Sequence, residues 1–172
     1  VGSGSSATTG ASALGVSSDA SGVNSIAIGD SQSQADSSVA IGNLANAVQA
    51  DSIAQGSSST ANSLASVAIG RDSSATGNSS IALGDSAVAN GASAIAQGTG
   101  ASEAGRIANA CRSRWSPTHD KDTAVGSGSS ATPGANALGV SSDASGVNSI
   151  ATGDSQYQAA SSVTTRTRAH PA

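Results

Sequence analysis

Glycine returns at almost constant intervals through most of this chain of 172 residues. Each glycine closes a short motif in which a β-branched residue, a small residue and usually an aliphatic residue precede it, as in Val67-Ala68-Ile69-Gly70. Weaker copies add Gly15 upstream and Gly126, Gly139 and Gly153 downstream. A unit this short cannot bury a hydrophobic face alone, so the units must stack on one another. The spacing is 13 residues once and 14 residues thereafter, at Gly29, Gly42, Gly56, Gly70, Gly84 and Gly98.

Within one unit the larger aliphatic residues occupy every second position. In Ser80-Ile81-Ala82-Leu83-Gly84, Ile81 and Leu83 therefore share one face of a strand. A second alternating run follows Gly84 and ends at an Asn-Gly turn signal, Asn90-Gly91. The pattern predicts two strands and two turns in each unit. A helix is excluded because the apolar period is two and glycine and serine are too frequent.

Identical units in identical register stack most simply as coils of a parallel solenoid, each about 4.8 Å above the last. The predicted fold class is therefore all-β, with coils of about 14 residues. We expect the β-branched residues to form aliphatic ladders inside the coils. The motif glycines are expected to mark the corner where the backbone turns tightly.

The side chains available limit the core to a thin one. The chain has no Phe and no Met, one Trp, one Tyr and one Cys, and 10% of its residues are charged. Aromatic residues normally bury roughly 150–250 Å² each, and that contribution is almost absent here. Disorder is the competing interpretation of such a composition, but the regular repeat and the low charge favour a folded solenoid.

Four segments carry a recognisable resemblance. Asn24-Ser25-Ile26-Ala27-Ile28-Gly29, Ser66-Val67-Ala68-Ile69-Gly70, Ser80-Ile81-Ala82-Leu83-Gly84 and Asn148-Ser149-Ile150-Ala151-Thr152-Gly153 resemble the head repeats of YadA-like trimeric autotransporter adhesins. The resemblance covers residues 1–105 and 124–163. It implies a left-handed parallel β-roll assembled as a homotrimer. It also implies adhesion to host extracellular matrix or cells from the outer surface of a Gram-negative bacterium, with the membrane anchor outside this segment.

The resemblance also suggests outward repeat positions that could contact a ligand. They are the first residues of several motif copies, at Asn24, Ser25, Ser52, Ser66, Ser80, Asn148 and Ser149. A collagen-binding head of the family carries Asn-Ser-Val-Ala-Ile-Gly-x-x-Ser, and no copy here has the whole motif. The copy at Asn24, for example, has Gln32 where the last serine belongs. The host ligand is therefore left open.

Gln55 and Gln97 occupy the position that Ile28, Ile41 and Ile69 fill in other units. A buried amide needs hydrogen-bond partners. We interpret these residues as stacked or water-bonded side chains at a partly open position rather than as a ligand site.

Two stretches break the repeat, and they define the domain boundaries. Residues 1–105 form one block of repeats, and residues 124–163 form a second block that duplicates residues 1–39. Residues 106–123 and the tail 164–172 contain six of the seven basic residues, the Trp, the Cys and both His. Arg112 and Arg166 stand where motif glycines are due. One hypothesis is repeat DNA read out of frame; the rival is a basic, aromatic binding loop that attracts anions.

No residues of the chain form an enzymatic motif. Cys111, His119, Asp120 and Asp122 match no zinc spacing, and no nucleophile elbow or phosphate loop is present. We therefore expect no catalytic residue, no metal and no cofactor. The acidic repeats argue against nucleic acid, and no stretch is long and apolar enough to insert into a membrane. The alternatives to adhesion are a monomeric structural or ice-binding solenoid and a passive spacer in a larger surface fibre.

Overall fold

The structure, a computed structural model, describes residues 1–103, 109–111, 121–126, 129–154, 156–157, 160–161 and 163–166. Short strands joined by turns make up these residues, and none of them is helical. Every strand pairing among the described residues is parallel, and most coils contribute one longer and one shorter strand. The prediction of an all-β parallel solenoid with coils of about 14 residues is confirmed. Its handedness and the trimer stay predictions.

The longer strands form a twelve-stranded sheet, here called sheet I. Its strands are β2 (Ser12–Leu14), β4 (Ile26–Ile28), β6 (Val39–Ile41), β8 (Ile53–Gln55), β10 (Val67–Ile69), β12 (Ile81–Leu83), β14 (Ile95–Gln97), β16 (Asn109–Cys111), β17 (Thr123–Val125), β19 (Asn136–Leu138), β21 (Ile150–Gly153) and β23 (Val163–Arg166).

The shorter strands form sheet II, which consists of an eight-stranded and a three-stranded part. The first part contains β1 (Ser6–Ala7), β3 (Asp19–Ala20), β5 (Gln32–Ser33), β7 (Asn46–Ala47), β9 (Thr60–Ala61), β11 (Ser74–Ala75), β13 (Val88–Ala89) and β15 (Ser102–Glu103), and the second contains β18 (Ser130–Ala131), β20 (Asp143–Ala144) and β22 (Gln156–Tyr157).

The strand register follows the sequence repeat. Val67 pairs with Ile81, fourteen residues on, and Ala68 pairs with Ala82. Ile26 pairs with Val39, thirteen residues on. The missing residue comes from the turn between β4 and β5, because β4 begins six residues before β5 whereas most neighbouring strands begin seven residues apart. A shortened turn thus keeps the ladders in register.

The expectation that β-branched residues fill the coil is wrong. The central alanines of sheet I point inward, and Ala27, Ala68 and Ala82 have no exposed surface, whereas Ile26 and Ile81 beside them are 37% exposed. Alternation shows only that Ile81 and Leu83 share a face; it does not show which face is inside. Among the described residues the inward side chains are alanine and serine, with Asp122 as the exception.

Serine completes this interior and closes the turns. Ser66 is fully buried, and its hydroxyl donates to the carbonyl oxygen of Ser63 at 2.6 Å. The same bond to the carbonyl three residues earlier recurs in many coils, at Ser18, Ser25, Ser38, Ser52, Ser59, Ser73, Ser129 and Ser142. A buried hydroxyl is tolerated when it is hydrogen-bonded, so serine can serve as a core residue here.

The motif glycines turn the chain out of sheet I. All ten predicted turn glycines have φ between +81° and +141°, a region that disfavours side chains. At Gly70 an added Cβ would lie 2.5 Å from the carbonyl carbon of Gly84 in the next coil. Each such corner therefore excludes a side chain for two reasons, backbone conformation and close stacking.

Residues 106–123, here called the anomalous segment, do not interrupt sheet I. Asn109–Cys111 pairs with β14 on one side and with β17 on the other, and Ala110 aligns with Ala96 and Ala124. Sheet II, within the described residues, is divided at this level of the stack. Of the rest of the proposed loop, residues 121–123 are described, whereas residues 106–108 and 112–120, including Arg112, Trp115 and His119, lie outside the described residues. Arg166 aligns with Gly153, as the position of the tail in the repeat predicts.

Candidate interaction face

The outer surface of sheet I carries two columns of aliphatic side chains. The first position of each strand from β4 to β14 is Ile26, Val39, Ile53, Val67, Ile81 and Ile95, and the third position is Ile28, Ile41, Gln55, Ile69, Leu83 and Gln97. We call these twelve positions the aliphatic face. Their side chains are half-buried or exposed, with Ile28 at 37% and Leu83 at 40%.

No charged residue belongs to the aliphatic face. Its strands pair without a break, so the exposed isoleucines, valines and leucine form one continuous strip across six strands. A monomeric soluble protein rarely exposes a large contiguous apolar surface, and one that does normally has a partner for it. This surface was missed at the sequence level because the isoleucines were placed inside the coil.

The apolar strip is interrupted by polar residues towards the C-terminus. The first positions of β16, β17 and β19 are Asn109, Thr123 and Asn136, and aliphatic residues return at Ile150 and Val163. Leu138, at the third position of β19, is 52% exposed. It borders a hollow of about 510 Å³ that Val125 and Val140 also line.

The outer surface of sheet II is polar. The Gln34 amide donates to Gln32 at 3.0 Å and to Asn46 in the next coil at 3.2 Å. The Thr76 hydroxyl donates to the side-chain amide oxygen of Asn90 in the next coil, at 2.7 Å. These bonds link successive coils through exposed side chains, so the solenoid has one apolar and one hydrophilic side.

The turn after β10 carries an ion pair between successive coils. The Arg71 guanidinium donates to both oxygens of Asp85, at 2.8 and 3.1 Å. These hydrogen bonds hold the pKa of the Asp85 carboxyl below its usual value, and they raise the pKa of Arg71. The Asp85 carboxylate thus links its coil to the preceding one.

The predicted ligand-binding residues fall into two groups. Ser25, Ser52, Ser66, Ser80 and Ser149 do not face outward, since all five have no exposed surface. Asn24 and Asn148 are exposed and lie in turns with φ of +57° and +55°. Asparagine tolerates this left-handed conformation better than most residues. Of the predicted set, only the two asparagines can touch another molecule.

No cluster of three or more His, Cys, Asp or Glu side chains is arranged in the described part of the chain to hold a metal ion. His119 and Asp120 of the candidate metal set lie outside the described residues. Asp122 is fully buried in the stack. The described residues also contain no helix with the length and apolarity needed to cross a membrane.

The fold and its exposed face define the class: a repetitive parallel β-solenoid with an alanine and serine interior and an apolar outer strip. A family model described as the YadA head domain repeat (2 copies) matches residues 9–31, 33–54, 47–73, 75–101 and 133–155. These matches cover more than half of the 172 residues, and the chain belongs to the YadA head repeat family, whose members are head regions of bacterial surface-exposed adhesins. Comparison with curated proteins found no match.

Proposed function

We propose that this chain is the head of a homotrimeric adhesin of a Gram-negative bacterium, which attaches the cell to host extracellular matrix or host cells by multivalent contacts. The observation that carries the proposal is the aliphatic face of a chain that belongs to the YadA head repeat family. Three chains that pack these faces together would remove the strip from water.

The energetic argument for assembly comes from the thin interior. Alanine and serine bury little apolar area, and the larger aliphatic side chains are left partly in water. Burial of apolar surface contributes roughly 25 cal/mol per Å². The isoleucines and valines of sheet I therefore contribute their remaining burial only when another surface covers them. Copies of the same strip are suitable because they are uncharged and have the same spacing between coils.

Assembly would leave the polar turns and the outer surface of sheet II exposed. Asn24 and Asn148 are exposed in equivalent turns of the two repeat blocks. Repetition along the stack and around a three-fold axis would present several copies of one weak contact, and linked weak contacts combine into high avidity. The two asparagines are the residues we assign to host contact, and the five buried serines are assigned to the interior.

The molar mass in solution tests the assembly. Sedimentation equilibrium of the full chain should give three times its mass of 16.1 kDa, with no dependence on concentration in the micromolar range. Val67→Lys, in the middle of the aliphatic face, should give monomers. Thr60→Lys, also half-buried but in sheet II, is the matched control and should leave the trimer intact. A monomeric wild-type chain with a β-type circular dichroism spectrum would favour a monomeric structural solenoid.

Adhesion is tested separately from assembly. Wild-type trimer, the Thr60→Lys variant and monomeric Val67→Lys are applied to immobilised extracellular-matrix proteins and to host cells. Binding by the two trimers and its loss in the monomer would support a multivalent adhesin. A stable trimer that binds none of these surfaces would favour the passive spacer.

A further inference from the structure

Two glutamines interrupt the aliphatic face, and they share one column. Gln55 and Gln97 occupy the third position of β8 and β14, and both are exposed. Within sheet I, Gln55 pairs with Ile41 on one side and Ile69 on the other, and Gln97 pairs with Leu83. Neither contributes to the interior of its own coil, because the inward residues of β8 and β14 are Ala54 and Ala96.

A repeat with such uniform coils leaves the alignment between chains poorly specified. If one copy slides along its neighbour by one coil, about 4.8 Å, Ile53 meets Val67 and Ile81 meets Ile95. Aliphatic residues then still contact aliphatic residues. A slipped contact also does not close around a three-fold axis, and contacts that do not close lead to open-ended assemblies.

The position of Gln55 removes this ambiguity for slips of one or two coils. When two copies are aligned at the same level, Gln55 of one copy lies level with Gln55 of the next, and the amides can bond to each other. A slip of one or two coils in either direction places the Gln55 amide level with an aliphatic residue, because the third positions of the two coils on each side are Ile28, Ile41, Ile69 and Leu83. A covered amide without a partner costs about 1–3 kcal/mol. A single polar residue in an apolar seam fixes the register of coiled coils in the same way.

We propose that Gln55 sets the axial alignment of the chains in the assembled head, and that it does so by pairing between copies rather than by binding a ligand. The inference rests on the proposed function, since it requires copies of the chain to meet through the aliphatic face. It assigns to Gln55 specificity of assembly, at some cost in stability relative to isoleucine.

The test is whether chains with displaced glutamines assemble with wild-type chains. Gln55→Ile combined with Ile69→Gln moves one amide by one coil and leaves the composition unchanged. Wild-type chains carrying a heavy-nitrogen label are unfolded together with the variant and refolded, and native mass spectrometry counts pure and mixed trimers. Mixed trimers should fall about tenfold or more below the binomial expectation, since each of them has one level at which a single amide is buried without a second amide to pair with.

The matched control makes the same exchange on the other sheet. Gln34→Val with Val48→Gln moves an amide by one coil on the outer surface of sheet II, and this variant should mix with wild type at random. If the exchanged chain does not form trimers alone, Gln55→Ile replaces it, because isoleucine occupies the same position in the coils on both sides. Gln55→Ile should also form fewer mixed trimers with wild type than random mixing predicts.

The outcomes separate the two proposals. Random mixing of the Gln55 variants with wild type, in trimers of normal mass, would overturn the role of Gln55 and leave the trimeric head intact. A deficit of mixed trimers for the sheet II control as well would also overturn the role of Gln55, because the effect would then not be specific to the aliphatic face. A wild-type chain that stays monomeric would overturn the proposed function itself.

Discussion

The hydroxyl of Ser66 donates to the carbonyl oxygen of Ser63 at 2.6 Å, and the same hydroxyl accepts the backbone N–H of Ser63 at 3.2 Å. Both bonds lie inside the coil and close the turn between β9 and β10. One coil further along, Ser80 is equally buried, but its hydroxyl has no hydrogen-bond partner among the described residues. Equivalent serines of the stack thus differ in what they contribute to stability.

This difference predicts opposite effects of one substitution. Ser66→Ala should lower the free energy of unfolding by about 1 kcal/mol, because it removes a buried, satisfied hydrogen bond. Ser80→Ala should leave the free energy of unfolding unchanged or raise it, since alanine already occupies the equivalent position as Ala94. Thermal unfolding followed by circular dichroism measures both variants. Equal losses would mean that Ser80 finds a partner in solution.

The corner glycine of β10 gives a second prediction. Gly70→Ala should destabilise the stack by at least about 1–3 kcal/mol, because φ of +131° strains any side chain and the new Cβ would meet the carbonyl group of Gly84. Gly4→Ala is the control for close stacking, since Gly4 also has a positive φ, +72°, but the atoms nearest to a Cβ there are 3.9 Å away. Chemical denaturation compares the two. A smaller loss for Gly70→Ala than for Gly4→Ala would contradict the close stacking of the coils.

The ion pair between Arg71 and Asp85 predicts a dependence on pH. The folded pKa of Asp85 lies below its unfolded value, so the pair contributes stability above the unfolded pKa and loses it as the pH falls through the folded pKa. The melting temperature of Asp85→Asn should therefore lie below that of wild type at neutral pH, and the two melting temperatures should converge at acidic pH. Melting temperatures across a pH series measure this.

The neighbouring carboxylate supplies the control for the ion pair. Asp72 lies 3.9 Å from the same guanidinium, without the two hydrogen bonds that Asp85 accepts, so Asp72→Asn should have the smaller effect. Both side chains of the Arg71–Asp85 pair are exposed, and added salt should narrow the difference between Asp85→Asn and wild type. If the difference in melting temperature between Asp85→Asn and wild type persisted unchanged at acidic pH, the asparagine would act through packing rather than through the lost charge.

The sequence predicts the period, the two strands of each coil and the parallel stacking, because these depend on spacing alone. It does not predict which side of Ile81-Ala82-Leu83 faces inward, since alternation is symmetric in this respect. Hydrophobicity favours isoleucine inside, but the inward positions of the described coils hold alanine and serine, with Asp122 as the exception. The local bond from serine to the carbonyl three residues earlier could have signalled a buried position, because it satisfies the hydroxyl without a distant partner.

The same limitation affected the candidate site. The resemblance suggested Ser25 and Ser66 as outward positions, and their burial becomes evident only when the two sheets are placed face to face. Asn24 and Asn148 lie in exposed turns, where their left-handed backbone follows from known preferences of asparagine, and their contact with a ligand stays a prediction. The aliphatic face was the larger omission. It follows directly from the same sequence pattern once the alanines are placed inside.

The effect of Asp122 on stability bears on the origin of the anomalous segment. Asp122 is fully buried, at the repeat position that Ser66, Ser80 and Ala94 hold in other coils. Burial of a carboxylate in an interior of alanine and serine carries a desolvation cost that serine avoids, so the free energy of unfolding of Asp122→Ser shows whether the interactions of Asp122 outweigh that cost. Lys121→Ser, at the exposed neighbouring residue, is the control and should change little.

Either result for Asp122 bears on the hypotheses for residues 106–123. A gain in stability would mean that this coil carries a residue unsuited to the stack, as expected of repeat DNA read out of frame. A loss would mean that the interactions of Asp122 outweigh its desolvation, which favours a segment adapted to its place and therefore the binding loop. Chemical denaturation of wild type and the two variants distinguishes these cases, and the coding DNA provides the independent check, because a shifted frame should restore the Ala-x-Gly motif.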